Sequence, residues 1–169
     1  TREFIVNDTP VVDGGTDLTL CLNDPVYPLL SDVNIPGGSF SSPSGGVSGL
    51  NFIPNLAGVG VHEVTYSYTD PATNCNDSDV RFITVVSPES ISINTAAVFC
   101  IDDPDFDLNT LTISITGGTW SGSGIIGNVF SPAIAGAGNH SISYSVTDGN
   151  GCLASEILEI EVEGLPIVE

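Results

Sequence analysis

Residues 57–70, read AGVGVHEVTYSYTD, return as residues 135–148, read AGAGNHSISYSVTD, with 8 of 14 positions identical at an offset of 78. The match extends outward in order. Phe52-Ile53-Pro54 answers Phe130-Ser131-Pro132, and Gly37-Gly38-Ser39-Phe40 answers Gly117-Gly118-Thr119-Trp120. Cys21-Leu22-Asn23-Asp24-Pro25 answers Cys100-Ile101-Asp102-Asp103-Pro104, and Cys75 answers Cys152. Two copies of one unit constrain the fold more than any composition figure, because each copy must be able to close its own core.

Each copy reads as strands. Ile142, Tyr144 and Val146 alternate with serines, and Val64, Tyr66 and Tyr68 alternate with Glu63, Thr65 and Ser67. Leu158, Ile160 and Val162 alternate with glutamates, and Leu111, Ile113 and Ile115 with threonine and serine. Period two is the pattern of a half-buried strand. Gly and Pro interrupt the chain too often for a long amphipathic helix. The expected class is all-β, with about seven short strands per copy, the arithmetic of two tandem Ig-like β-sandwich domains. We place them at residues 1–90 and 91–169. Residues 1–8, with Phe4, Ile5 and Val6, read as the closing strand of a preceding copy or as a donor strand for a neighbouring molecule.

Charge narrows the function classes. The 169 residues hold 21 acids against two basic residues, Arg2 and Arg81, for a formal net charge of −19. Replacing phosphate counterions needs Lys and Arg, so nucleic acid is not an expected partner, and an anionic lipid surface is equally disfavoured. No run approaches the length of a membrane-spanning helix, so no membrane insertion is expected. A hydrophobic share of 41% nevertheless describes a folded chain rather than an acidic disordered one. The absence of methionine suits a processed product or a piece of something longer. The absence of lysine removes the Lys–Asn isopeptide bond as an internal staple.

Four cysteines allow three pairings. The repeat selects Cys21 with Cys75 and Cys100 with Cys152, since only that choice makes each copy self-contained. Neither a CxxC spacing nor a nearby histidine pair favours metal or redox chemistry. Structural disulfides in an oxidising compartment are therefore the expectation.

Among polar groups, Asp102, Asp103, Asp105 and Asp107 form the densest cluster, a calcium candidate set against the simpler reading of a solvated turn. Asp77 and Asp79 beside Cys75 are a second, sparser candidate. His62 and His140 are equivalent and read as structural residues at the start of a strand. Phe40 and Trp120 share a position and read as core before sugar platform. Asp70 and Asp148 follow a strand and precede a turn, where aspartate bonds local backbone. No nucleophile elbow, phosphate loop or HExxH motif occurs, and no enzyme is expected. No cofactor is required, with calcium as the one candidate ion.

These anchors together resemble the PKD-like and Ig-like repeats of very large Bacteroidota surface proteins, the gliding and biofilm adhesins exported by type IX secretion. The shared pattern runs from Cys-x-Asx-Asp-Pro through Gly-Gly-x-aromatic and Phe-x-Pro to Ala-Gly-x-Gly-x-His and the closing cysteine. Ser41-Ser42-Pro43-Ser44 departs from it, where the second copy has Ser121-Gly122-Ser123-Gly124. The resemblance implies a non-catalytic extracellular module on the cell surface, serving as a disulfide-supported spacer in an adhesin or fibre. Its partners would be neighbouring repeats or subunits of the same fibre, with a surface glycan or polymer as a further ligand. Two rival readings are a head-to-tail fibre built by strand addition and a calcium-dependent or carbohydrate-binding module.

Overall fold

The computed structural model describes residues 6–94 and 98–166. The chain divides into two compact units, Thr1–Ser87 and Pro88–Glu169. Both are built of strands, with only two four-residue α-helices among the described residues.

The first unit contains β1 (Leu18–Cys21), β2 (Tyr27–Pro28), β3 (Ser39–Ser41), β4 (Val47–Ser48), β5 (Asn51–Phe52), β6 (Gly60–Thr69) and β7 (Asn76–Val86). A 3-10 turn, Leu29–Asp32, follows β2, and helix α1 (Pro54–Ala57) precedes β6. One sheet runs β1-β7-β6-β3 and the other β2-β5-β4. The long hairpin of β6 and β7 is antiparallel, whereas β1 lies parallel to the last four residues of β7, with Leu18 opposite Ile83 and Cys21 opposite Val86.

The second unit contains β8 (Ile93–Asn94), β9 (Val98–Cys100), β10 (Phe106–Asp107), β11 (Thr112–Ile113), β12 (Thr119–Gly122), β13 (Ile125–Ile126), β14 (Val129–Phe130), β15 (Gly138–Thr147) and β16 (Leu153–Glu163). It repeats the 3-10 turn at Leu108–Thr110 and the short helix as α2 (Pro132–Ala135). Its sheets run β9-β16-β15-β12 and β10-β14-β13, with a small β8–β11 pair added. Again the first strand of the large sheet is parallel to the last, Val98–Cys100 against Glu161–Glu163.

The alternation seen in the sequence is the burial pattern of these strands. His62, Val64 and Tyr66 point inward from β6, and Arg81, Ile83 and Val85 from β7. With Leu29, Phe40 and Phe52 the apolar members form one core fed by both sheets. The second core is drawn from Leu108, Trp120, Phe130, Ile142, Tyr144, Leu158, Ile160 and Val162 among others. Leu111, Ile113 and Ile115 pack at its edge as the alternation implied, although only Thr112 and Ile113 pair as a strand.

The cysteines correct one expectation. Cys75 and Cys100 carry free thiols, and Cys21 and Cys152 are each disulfide-bonded. The pairs Cys21 with Cys75 and Cys100 with Cys152 are not formed, and strand geometry says why. Cys21 sits opposite the last residue of β7, while Cys75 directly precedes its first, and β7 has 11 residues. At about 3.3 Å per residue this separates the two cysteines by roughly 35 Å. A disulfide needs Cα atoms within about 7 Å. The second unit repeats the arrangement, with Cys100 opposite Glu163 at the end of the 11-residue β16 and Cys152 just before its start.

Candidate functional site

The polar groups that recur in both repeats all turn toward their own backbone. In the first unit Tyr66 lies under the Gly37-Gly38 turn. Its hydroxyl donates to the Ile35 carbonyl at 2.6 Å and accepts the Gly38 N–H at 2.8 Å. Tyr144 does the same with the Ile115 carbonyl and the Gly118 N–H, at 3.0 and 2.7 Å. The Gly-Gly-x-aromatic motif follows from this contact. A Cβ at Gly38 would run into the Ser67 carbonyl and the Tyr66 ring, and one at Gly118 into the Ser145 carbonyl and the Tyr144 ring. The aromatic that closes the motif stacks on the same tyrosine, Phe40 on Tyr66 at 4.5 Å between ring centroids and Trp120 on Tyr144 at 4.9 Å. Phe40 and Trp120 are buried, so neither offers an exposed sugar platform.

The two histidines tie short helices to long strands. His62 Nε2 is 2.9 Å from the Gly58 carbonyl, and His140 Nε2 is 2.8 Å from the Gly136 carbonyl. A carbonyl only accepts, so the proton sits on Nε2 in both rings. Each glycine is the C-terminal cap of its helix and has a positive φ, 80° and 83°. His62 Nδ1 lies 3.0 Å from the Ser44 hydroxyl. A ring held at both nitrogens and packed against Phe52 is a brace, which is the structural role the sequence suggested.

The aspartates are turn locks. Asp24 Oδ2 accepts the Cys21 N–H at 2.7 Å, and Asp103 Oδ2 accepts the Cys100 N–H at the same distance. Asp107 caps the second 3-10 turn by accepting from the Asn109 N–H at 2.9 Å. Asp102 and Asp105 are exposed. The four residues proposed for calcium thus belong to two separate turns, and no group of three or more His, Cys, Asp or Glu positioned to hold a metal occurs among the described residues. Asp77 and Asp79 accept the main-chain N–H groups of Val12 and Gly14, at 3.1 and 2.9 Å. These two side chains hold the leading segment against the first half of β7, where no backbone ladder does so.

Asp70 and Asp148 close the hairpin turns. Asp70 takes the Ala72 N–H at 2.8 Å and the Thr73 hydroxyl at 3.0 Å. Asp148 is buried and takes three main-chain donors, Glu89 at 2.7 Å and Asn150 and Cys152 at 2.9 Å each. Main-chain donors hold both carboxyls below the ordinary aspartate value, the Ala72 N–H first for Asp70 and the Glu89 N–H first for Asp148.

One group departs from the repeat and was not legible as a site in the sequence. Arg81 is 1% exposed and its Nη1 donates to both Asp32 carboxylate oxygens, at 2.9 and 2.8 Å. Its guanidinium lies 5.8 Å from the Tyr27 ring centroid and 5.9 Å from that of Phe40. Its Nε and Nη2 have no hydrogen-bond partner. The one signal was its place in the inward-facing register of β7.

A shallow surface groove over the β6–β7 hairpin is lined by Ser67, Thr69, Asn76, Asp77 and Ser78, without an aromatic ring. Of the proposed donor strand, Phe4 and Ile5 lie outside the described residues, and Val6 is exposed. No helix among the described residues is long and apolar enough to cross a membrane. No protein-family model matches the chain. No curated protein matches it either.

Proposed function

We propose that the chain is a non-catalytic structural module, two tandem Ig-like, PKD-like repeats that act as a spacer in an extracellular cell-surface adhesin or fibre. The observation that carries this reading is the position of the two ends of each unit. In the first, the leading segment at Val12 is bonded to Asp77 at the start of β7, and the chain leaves after Val86 at its far end. In the second, Glu89 is bonded to Asp148, at the turn before β16, and β16 itself leads to Glu163. Each unit is therefore strung along its long strand.

Pulling on such a unit loads the parallel pair of first and last strands in shear. The β1–β7 contacts, Leu18 with Ile83 through Cys21 with Val86, must then yield together rather than unzip singly. Disulfide bonding of Cys21 and Cys152 suits an oxidising, extracellular setting. The recurrent polar groups add support, because tyrosine, histidine and aspartate in each repeat bind the backbone of that repeat.

Force spectroscopy on the whole chain tests the reading. With reductant present, two discrete unfolding peaks are expected. The larger should release about 280 Å, from 87 residues at roughly 3.6 Å each less the folded length. Without reductant the release should be shorter, since a disulfide excludes its loop from the extended length. Extension with no force peak would overturn the spacer reading.

A further inference from the structure

Every repeat carries two cysteines at opposite poles of its large sheet. Cys75 and Cys152 lie at the pole where β7 and β16 begin, and Cys21 and Cys100 at the pole where they end. Call these the proximal and distal poles. In the first repeat the distal cysteine, Cys21, is bonded and the proximal one, Cys75, is free. In the second the proximal cysteine, Cys152, is bonded and the distal one, Cys100, is free.

Cys100 sits in the same local frame as its bonded counterpart Cys21, and Cys75 shares one backbone contact with Cys152. Cys100 begins a turn in which its N–H bonds Asp103 Oδ2 and its carbonyl accepts the Asp103 N–H at 3.0 Å. Cys21 makes the same two contacts with Asp24, at 2.7 and 3.0 Å. The residues after them are fixed alike, Leu22 N–H to the Val86 carbonyl at 2.8 Å and Ile101 N–H to the Glu163 carbonyl at 2.9 Å. At the proximal pole, the Cys75 carbonyl accepts the Asp70 N–H at 2.9 Å and the Cys152 carbonyl the Asp148 N–H at 2.8 Å. Cys152 is fully buried, while Cys75 is half-buried and Cys100 exposed. So the turn around Cys100 is one that holds a disulfide elsewhere in the same chain, while Cys75 keeps the carbonyl contact of Cys152 but turns its N–H to Thr73 Oγ1 at 3.3 Å, where Cys152 uses Asp148 Oδ1 at 2.9 Å.

We propose that Cys75 and Cys100 are coupling positions for further copies of this repeat, joined head to tail by a disulfide between a distal and a proximal cysteine. Cys100 of one copy would bond Cys75 of the next. The reaction is a disulfide exchange with glutathione disulfide as oxidant. The Cys75 thiolate attacks it and expels one glutathione thiolate, and the Cys100 thiolate then attacks the Cys75 sulfur and expels the second. Two protein thiols lose two protons and two electrons, and one glutathione disulfide becomes two glutathiones. The carboxylates of Asp103, Asp102 and Glu163, together with partial burial, hold the Cys100 thiol above its ordinary value, with Asp103 the largest cause. Coupling should therefore quicken as pH and salt rise, since salt screens those charges.

The proposal deepens the spacer reading and rests on it. The test is concentrated whole chain in a glutathione redox buffer, followed by non-reducing electrophoresis and peptic peptide mapping at low pH. Wild type should form a reductant-sensitive ladder in steps of 17.4 kDa, with a Cys75–Cys100 linked peptide. Cys75→Ser and Cys100→Ser should each stay monomeric alone and form a dimer when mixed. A wild type that keeps both thiols, or a Cys100–Cys100 linkage in Cys75→Ser, would overturn the coupling. Neither result would touch the force peaks, so the two readings fail separately.

Discussion

Arg81 in β7 and Leu158 in β16 occupy the same place in the two repeats, the first opposite Val64 and the second opposite its counterpart Ile142. Their partners correspond as well. Asp32 is three residues after the buried Leu29, and Leu111 three after the buried Leu108. One repeat fills this pocket with an ion pair and the other with two leucines that pack on the core.

The two solutions make opposite demands on single and double substitution. Asp32→Leu alone would strand a buried guanidinium and should cost about 3–5 kcal/mol. Arg81→Leu together with Asp32→Leu copies the second repeat and removes the two unpartnered guanidinium nitrogens. It should restore the loss to within about 1 kcal/mol of wild type, or exceed wild type. Urea unfolding of the three proteins measures the cycle. A double variant as unstable as the single one would show that the pair is worth more than its desolvation costs.

Trp120 poses the converse case. Its indole Nε1 is buried without a partner, at a position where the first repeat has Phe40. Trp120→Phe removes an orphan donor and should change stability by no more than about 1 kcal/mol. Trp120→Ala removes the ring itself and should cost about 3–5 kcal/mol. Circular dichroism melts are the measurement, since the substitutions delete the chain's single tryptophan.

The tyrosine contacts predict a paired effect. Tyr66→Phe leaves the half-buried Gly38 turn without both its hydroxyl contacts, and Tyr144→Phe does so for Gly118. Each should cost roughly 1–3 kcal/mol and act on its own unit. Gly38→Ala should be worse than Tyr66→Phe, because the added carbon meets main chain that cannot swing aside. Hydrogen exchange resolved along the chain would show which unit opens.

Asp148 sets a pH dependence. Its folded value lies below 3.8, so its stabilisation is complete above that pH and is lost as pH falls through the folded value. Asp148→Ala should melt several degrees below wild type at pH 7, and the gap should narrow below pH 3.8 as the wild-type carboxyl itself takes a proton. A gap that stayed constant to pH 2.5 would mean that the carboxylate charge contributes nothing to the Glu89, Asn150 and Cys152 contacts.

The long strands were legible because β6, β7, β15 and β16 alternate over 10 or 11 residues, long enough for one face to be apolar throughout. The histidine braces and the Asp70 and Asp148 turns were legible too, since both repeats keep them and each has a contact within four residues, His62 to Gly58 and Asp148 to Asn150 among them; the longer reach of Asp148 to Glu89 was not. The cysteines were not. Their pairing depends on β1 running parallel to the end of β7, a contact between residues 65 apart that no local pattern encodes. The Arg81–Asp32 pair was hidden for the same reason, being 49 residues apart and present in one repeat only.

The burial of Arg81 has a consequence for attack by proteases. Trypsin-like proteases cut after lysine or arginine, and this sequence has no lysine and two arginines. Of these, Arg81 is sealed in the core of the first unit. Cleavage there requires that unit to open first, so a trypsin-like enzyme finds this cut site locked away. The same bond makes the protein its own gauge, because the rate of scission after Arg81 counts how often the first repeat comes apart.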